Sequence, residues 1–370
     1  MIQTCKRCVM DNLNTKINFN EKGFCNYCTD ALEQKDKIWH NNKSGEKELV
    51  KMIEEMKQKN KNNQYDCILG LSGGIDSCYT AYLLKQYNVR ILAVHIDAGW
   101  NTDVSNENVK LLCEKLGLDL KIIKVDYNEM YDLQRAYFLA QVPNQDVPQD
   151  HVFFSELYRY ALKYGIKYFI SGGNFSSESI LPTCWGYNAM DGRNLKDIHK
   201  HYGKLKLKRI KPLNFFEIYI SIPYIRKLKK IRPLNYINYN KEEAIKELHD
   251  KFGFKYYGSK HSESSFTRLF QGYILPNKFG IIKKKAHYSS LIVSKQITRK
   301  KALEEIGMDD YRNKEELEKD INLFINRIGI TREEFDEIIN NKIRVEHTQF
   351  KNFDKTFNFF KKIRDLFRKK

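Results

Sequence analysis

The 370-residue sequence has no long apolar run: the longest, such as residues 65–71 and 91–96, fall far short of the ~20 residues a membrane-spanning helix needs. Its first residues, Met1-Ile-Gln-Thr-Cys5-Lys-Arg-Cys8, lack the basic head, apolar middle and small-residue cleavage site of a secretory signal. Both absences predict a cytoplasmic protein with no membrane partner. Cysteine is scarce, and eight in a chain of this length are too few for a disulfide scaffold. The sequence contains neither G-x-x-x-x-G-K-[ST] nor the dinucleotide pattern G-x-G-x-x-G, which disfavours kinase-like γ-phosphoryl transfer. It has no internal repeat. What it does have is enough apolar material, 42% of residues, to bury a substantial core divided into two or three structural units.

Charge of one sign dominates. A formal net charge of +18 creates a field that attracts phosphates on nucleotides, nucleotide-linked substrates or RNA, as well as acidic partner proteins. It does not choose among them, and the abundance of Lys, Asn and Ile also fits codon bias. Residues 199–232 hold eleven Lys or Arg against one acid, Glu217, interleaved with Tyr202, Phe215, Phe216, Tyr219 and Tyr224.

The hydrophobic period divides the chain into four parts. Residues 1–28 form a cysteine-bearing module, and residues 29–63 read as a connector of two polar helices split near 41–45. From 64 to 240, short apolar strands at 65–71, 90–96, 120–125 and 167–171 alternate with helices at 77–87, 105–116, 128–141 and 151–164. That alternation predicts βαβ units and a parallel sheet, with lid or substrate loops after 179. Residues 241–370 are mainly helical and suit substrate or partner binding, the clearest periods covering 289–306, 313–328 and 331–340.

Four of the eight cysteines fall in Cys5-Lys-Arg-Cys8 and Cys25-Asn-Tyr-Cys28, sixteen residues apart. Two such knuckles converge on one tetrahedral Zn²⁺, with the turn at residues 20–23 folding them together. Four protein thiolates close the coordination sphere, so the expected role is structural, and metal loss is expected to unfold only this module.

The segment Ser72-Gly73-Gly74-Ile75-Asp76-Ser77 lies between a strand and a helix, where free backbone N–H groups and the helix dipole make an anion site. Two glycines let phosphate oxygens approach the backbone, Ser72 and Ser77 add hydroxyls, and Asp76 is placed to hold Mg²⁺. These six residues resemble the SGG-x-DS signature of the PP-loop ATP pyrophosphatases. The resemblance implies a Rossmann-like α/β fold of the adenine nucleotide alpha hydrolase type, ATP as co-substrate, and attack at the α-phosphorus with release of pyrophosphate. It also implies that His95 and Asp97, ending the second strand, lie near adenosine, and that Gly172, Gly173 and Asn174, ending a later one, join the same crevice.

The adenylate made by such chemistry is resolved by ammonia, an amine or sulfur. Beyond the metal module, Cys67, Cys78 and Cys113 sit among apolar neighbours and only Cys184 lies in a loop, so no paired sulfur relay is evident. No cysteine has the surround of a glutaminase nucleophile, so ammonia must come from a partner. The motifs Cys5-x-x-Cys8-Val-Met-Asp11, Val147-Pro-Gln-Asp150-His151, Gly258-Ser-Lys260-His261-x-Glu263-Ser264-x-Phe266-Thr-Arg268 and Lys285-Ala-His287-x-Ser289-Ser290 resemble, over about residues 1–310, the N-acetyl sugar amidotransferase family. That family, of bacterial surface-glycan biosynthesis, includes the O-antigen and pseudaminic-acid acetamidino enzymes.

This resemblance implies adenylation of an acetamido oxygen on an N-acetyl sugar and formation of an acetamidino group. The ammonia would come from a glutaminase and synthase pair similar to those of histidine biosynthesis. Asp76, Glu178, Lys284 and Lys285 are the catalytic candidates. Glu178 resembles the acid of asparagine synthetase, and either lysine would neutralise developing charge on pyrophosphate. Asp150, His151, Lys260, His261, Glu263, Arg268 and His287 are the substrate candidates, with an N-cap role equally open for Asp150. The rival reading is a tRNA-modifying PP-loop thiolase, which the net charge suits and the missing cysteine pair opposes. A third is a nucleotide-binding scaffold without turnover.

Overall fold

The computed structural model describes residues 1–13, 15–256, 263–308 and 311–368. Its centre is a parallel sheet of β1 (Cys67–Gly70), β2 (Ile91–Asp97), β3 (Asp119–Lys124), β4 (Tyr168–Ile170) and β5 (Lys229–Ile231), in the order β3-β2-β1-β4-β5. Side chains alternate across a strand, and the apolar ones here serve two cores. Cys67, Leu69, Ile91, Ala93, Tyr168 and Ile170 face one side, while Ile68, Leu92, Val94, Ile96 and Phe169 face the other. Strands buried on both faces read as short continuous apolar runs, which is why β1, β2 and β4 were legible.

Ahead of the sheet lie α1 (Asn26–Ile38) and α2 (Lys43–Lys59), and between its strands α3 (Ile75–Gln86), α4 (Asp103–Leu116), α5 (Tyr127–Leu139) and α6 (Val147–Lys163). After β4 come α7 (Phe175–Glu178) and α8 (Gly192–Tyr202). Beyond β5 come α9 (Lys241–Phe252), α10 (Ser265–Leu269), α11 (Leu275–Phe279), α12 (Lys283–Val293), α13 (Arg299–Ile306), α14 (Lys314–Ile328), α15 (Arg332–Asn340) and α16 (Asp354–Arg368). Leu49, Ile53 and Met56 of α2, and Ala244 and Leu248 of α9, pack into the first sheet core. Both helices, placed by the sequence in the connector and at the start of the C-terminal region, thus pack against the sheet. No helix among the described residues is long and apolar enough to cross a membrane.

Two further elements depart from the expectation. The period over 289–306 is not one helix: α12 ends before Ser294, Lys295 takes a left-handed φ of 62°, and Thr298 caps a separate α13 by accepting from Lys301 N. The basic stretch 199–232 hides β5, a charged strand at the sheet edge, where lysines are tolerated because they discourage pairing with another chain. Part of the same stretch is strapped down by two buried acids. Asp132 accepts from the backbone N–H groups of Lys204 and Leu205, and Glu129 from those of Lys208, Arg209 and Ile210.

The sheet reverses its order between β1 and β4, and ligands of such sheets bind at the carboxyl ends of the strands flanking that point. Glycine makes the chain fit there. Gly73 has φ of 83°, and a Cβ on it would stand 2.4 Å from the Ser105 carbonyl oxygen; one on Gly172 would stand 2.8 Å from the backbone of Asp76 and Ser77. By contrast, Gly117 caps α4 with φ of 58° and nothing within 4 Å of a Cβ. Gly172→Ala is expected to cost ~1–3 kcal/mol by overpacking backbone against backbone, whereas Gly117→Asn should change stability by only a few tenths of a kcal/mol. Equal midpoints in urea unfolding of the two variants would refute this account of the loop.

Candidate active site at the carboxyl edge of the sheet

The turn from β1 into α3 carries the six-residue phosphate loop. Its hydroxyls bind inward: Ser77 Oγ donates to the Gly74 carbonyl at 3.0 Å and accepts from Ser72 N, while Ser72 Oγ accepts from Gly74 N. Gly74 is the N-cap of α3 and supplies no side-chain acceptor, so the first N–H groups of the helix are left for an anion. Tyr239, deeply buried, donates to Asp76 Oδ1 at 2.5 Å and fixes that carboxylate. Tyr239 carried no sequence signal, since the contact spans 163 positions.

Beside the loop opens a cleft of about 310 Å³, lined by Gly70, Leu71 and Ser72 after β1, by Val94, His95 and Ile96 of β2, and by Ile170, Ser171 and Gly172 after β4. One wall is α6, through Asp146, Gln149, Asp150, Phe153 and Leu157. The opposite wall is Glu263, Ser264, Thr267, Gln271 and Lys283. That wall is stitched to the loop after β2, where Thr102 N donates to Glu263 O and Ser265 N to Trp100 O.

The polar groups of the cleft are unequally matched. Asp146 accepts from Gln271 Nε2 at 3.1 Å and Thr267 Oγ1 at 3.4 Å, and pairs with Lys283 at 3.4 Å. Asp150, one helical turn on, has no such partners among the described residues. Burial and then the charge of Asp146 push its carboxyl up to about 7, against the opposing pull of Lys283, and Glu178 adds to the rise. Asp146, Gln149 and Lys283 were missed by the sequence reading, because the Asp146–Lys283 pair joins residues 137 positions apart.

The remaining candidates sort by what their polar atoms touch. Glu178 lies at the rim, its Oε2 2.9 Å from where a Cβ on Gly173 would be. His95 is buried and bound on both nitrogens, to Leu71 O and to Asn106 and Asn101, so it braces the cleft wall instead of offering a group to adenosine. Asp97 accepts from Gly99 N and Tyr127 Oη, and Asn174 caps α7. His151 points out of the cleft, bonding Ala189 O through Nδ1 and accepting from Leu213 N through Nε2; burial lowers it to about 4, a neutral brace. Arg268 is spent on Asp320 and Glu316. Lys284 donates to Met308 O and Lys285 pairs with Asp11, so neither lysine reaches the cleft; the preceding Lys283 does. His287 sits on α12 and is not among the lining residues. Lys260 and His261 lie outside the described residues.

Cys5, Cys8, Cys25 and Cys28 are fully buried, with all four sulfurs within 4.8 Å of one another. Backbone N–H groups of Cys8 and Cys25 donate to Cys5 Sγ, and Cys28 N donates to Cys25 Sγ. Four sulfurs this close repel one another as thiolates, so a cation among them is what would let them ionise together. The donor set fits a tetrahedral thiophilic ion. The module is also tied to the C-terminal helices. Arg299 of α13 donates to the carbonyls of Cys5 and Cys8, Val9 N donates to Ser289 Oγ of α12, and Asp11 pairs with Lys285.

Residues 46–215 match the family model NAD synthase, and residues 263–364 match the model LPS biosynthesis protein WbpG-like, C-terminal domain. Among curated proteins, the chain is 33% identical over 101 residues to the tRNA-specific 2-thiouridylase MnmA of Vibrio vulnificus, covering 23% of this chain and 26% of that protein. It is 34% identical over 94 residues to the tRNA(Ile)-lysidine synthase of Chlamydia pneumoniae, covering 25% and 27%. The chain thus spans about a quarter of the length of these relatives. Among solved structures, the NH3-dependent NAD synthetase of Campylobacter jejuni aligns at 28% identity and a TM-score of 0.28, over 36% of this chain and 58% of that one.

Two outcomes test the geometry. Chelation of the metal is expected to expose amides of α12 and α13 to hydrogen exchange along with those of the N-terminal module, while β1, β2 and β4 stay protected; exchange confined to residues 1–28 would contradict the coupling. Because Asp150 keeps a proton between its ordinary value of 3.8 and about 7 in the folded state, the folded chain binds more protons than the unfolded one there, and stability falls as pH rises through that window. Asp150→Asn removes this slope. Its melting temperature relative to the parent protein should rise between about pH 4 and about pH 8, and a constant difference would exclude the shift.

Proposed function

We propose that this chain, which joins an NAD synthase-type PP-loop domain to a WbpG-like C-terminal domain, is an ATP-dependent amidotransferase of bacterial surface-glycan biosynthesis. It adenylates the acetamido oxygen of an N-acetyl sugar, releases pyrophosphate, and lets ammonia displace AMP to leave an acetamidino group. The observation that carries this reading is the cleft itself. Its phosphate-loop side comes from the segment matching NAD synthase, and its opposite wall, Glu263 to Lys283, opens the segment matching the lipopolysaccharide-biosynthesis domain. A nucleotide on the loop and a glycan precursor on that wall would meet in one space.

The main-chain N–H groups at the start of α3 would hold the departing diphosphate, as donors fixed before the reaction begins. Asp76, oriented by Tyr239, is the residue to hold Mg²⁺, which when bound would offset charge on the phosphates. The four thiolates would hold Zn²⁺ as a structural ion. Ammonia is supplied by a separate glutaminase and synthase pair, and the chain works in the cytoplasm.

The tRNA thiolase reading draws on the MnmA match. Against it, burial raises the thiols of Cys67, Cys78 and Cys113, the last to about 12, which suits packing and not sulfur transfer.

The purified chain with ATP, Mg²⁺, ammonium salt and a panel of UDP- and CMP-linked N-acetyl sugars is expected to form AMP and pyrophosphate in equal amounts, with glutamine active only when the partner pair is added. Asp76→Asn should lower the rate by ~10²-fold or more. ADP and orthophosphate as products would end the proposal, and sulfur incorporation into tRNA would favour the rival.

A further inference from the structure

Gln149 and Asp150 are consecutive residues in the first turn of α6, and both line the cleft. Their hydrogen-bonding characters are opposite. Gln149 is 3% exposed, its Oε1 accepts from Ser264 Oγ at 3.3 Å, and its buried Nε2 has no hydrogen-bond partner among the described residues. A buried amide N–H without an acceptor is destabilising, so a ligand oxygen that met it would recover that cost. Asp150 presents the converse, a carboxylate without a hydrogen-bond donor among the described residues. It faces Asp146 on its own helix, Lys283 of α12, Glu178 of α7 and, across the cleft, Glu263. Lys283 is committed to Asp146, which is further satisfied by Gln271 and Thr267. Asp150 is therefore the carboxylate of this group left to receive a proton or an N–H.

Successive residues of a helix stand about 100° apart, so the two groups approach a ligand between them from different sides. The carbonyl and N–H of a trans secondary amide point in opposite directions and need a donor and an acceptor so arranged. Phe153, Phe154, Leu157 and Phe169 supply an apolar floor of the kind a methyl group fills. Resting on the amidotransferase reading above, we propose that Gln149 and Asp150 form the subsite for the acetamido group, Gln149 Nε2 donating to its oxygen and Asp150 accepting from its N–H and then taking that proton.

The chemistry balances. The amide oxygen, with one lone pair on Gln149, uses the other to form a bond to the α-phosphorus of ATP, and the bond from that phosphorus to the bridging oxygen of pyrophosphate breaks. Bonding at oxygen makes the amide N–H strongly acidic, and its proton passes to Asp150, leaving a neutral O-adenylated imidate. Ammonia then adds to the imidate carbon, and the carbon–oxygen bond to AMP breaks. The amidinium product carries the three hydrogens of ammonia, one of them shifted to the sugar nitrogen. The proton on Asp150 leaves with pyrophosphate. A base with an affinity near neutrality serves both taking and releasing it.

The test uses the full metal-loaded chain in two arms. In the first, saturation-transfer NMR with N-methylacetamide should show contact that falls several-fold in Gln149→Met and in Asp150→Leu, while N,N-dimethylacetamide, which lacks the N–H, shows little. In the second, ATP–pyrophosphate exchange with the sugar panel is followed without ammonia, so that only the first half-reaction is read. Gln149→Met should raise KM for the sugar about tenfold or more with KM for ATP unchanged. Asp150→Asn should cut exchange ~10²- to 10⁴-fold and remove the rise in rate through about pH 7, with Asp150→Glu restoring part of it. Exchange that occurs but ignores both substitutions would overturn the subsite and leave the amidotransferase intact. Amide binding that depends on Gln149, with no exchange for any N-acetyl sugar, would keep the subsite and sink the broader reaction. Equal transfer from the parent protein and Gln149→Met would also overturn the subsite.

Discussion

Two backbone contacts that leave no room for a side chain fix the phosphate loop. Gly73 meets the Ser105 carbonyl at the start of α4, and Gly172, just past β4, meets the backbone of Asp76 and Ser77. The loop is thereby wedged between elements that follow β2 and β4, the two neighbours of β1. A methyl group at either point would lever the start of α3 away from the strand ends, and interiors packed at crystal-like density have little slack to absorb it. The same wedge positions Asp76 for Tyr239, whose carbonyl accepts from Gln296 between α12 and α13. The C-terminal region is thus tied to the anion site through a short chain of contacts.

That tie gives α12 an unusual office. Its first three residues are lysines, and because each is turned about 100° from the last they reach three places: Lys283 to Asp146 in the cleft, Lys284 to Met308 O, Lys285 to Asp11 beside the thiolate cluster. The cysteine module, through Asp11, Val9 and the carbonyls held by Arg299, sets the position of α12 and α13. An ion held by the four sulfurs at one end would therefore bear on the position of Lys283 in the cleft at the other. Nothing in the sequence signals that the module is tied to α12 and α13, because the contacts that tie it come from residues nearly three hundred positions away.

Most of the sheet was legible because strands buried on both faces leave an apolar run that little else produces, and the loop because glycines and hydroxyls between strand and helix have few other uses. β5 was not, since an edge strand built of lysines carries no apolar run. The cleft residues were legible only as a neighbourhood. Asp150 and His151 look alike as polar residues opening a helix, yet one faces the cleft with its carboxylate unmatched and the other bonds Ala189 and Leu213 behind it. Arg268 reads as a substrate cation until Asp320 and Glu316 are seen to hold it. A sequence states which groups can bond; whether they are already bonded depends on partners that the fold brings from elsewhere.

The charge of the chain divides in the same way. Of the acids near the basic strap, Glu129 and Asp132 accept from its backbone N–H groups, so the lysine and arginine side chains there remain turned to solvent, with Arg209 3.5 Å from Asp126. The strap's cations thus enlarge the positive field of the surface. The cleft is the opposite, with Asp146, Asp150 and Glu263 against Lys283 along its lining and Glu178 at its rim. An acidic cleft repels phosphates, which must then be held on the main-chain amides of the loop, and it favours groups that bear N–H. The cleft thus separates main-chain dipoles that suit an anion from carboxylates that suit an N–H group across a single space, the division that the proposed adenylation and nitrogen attack would need.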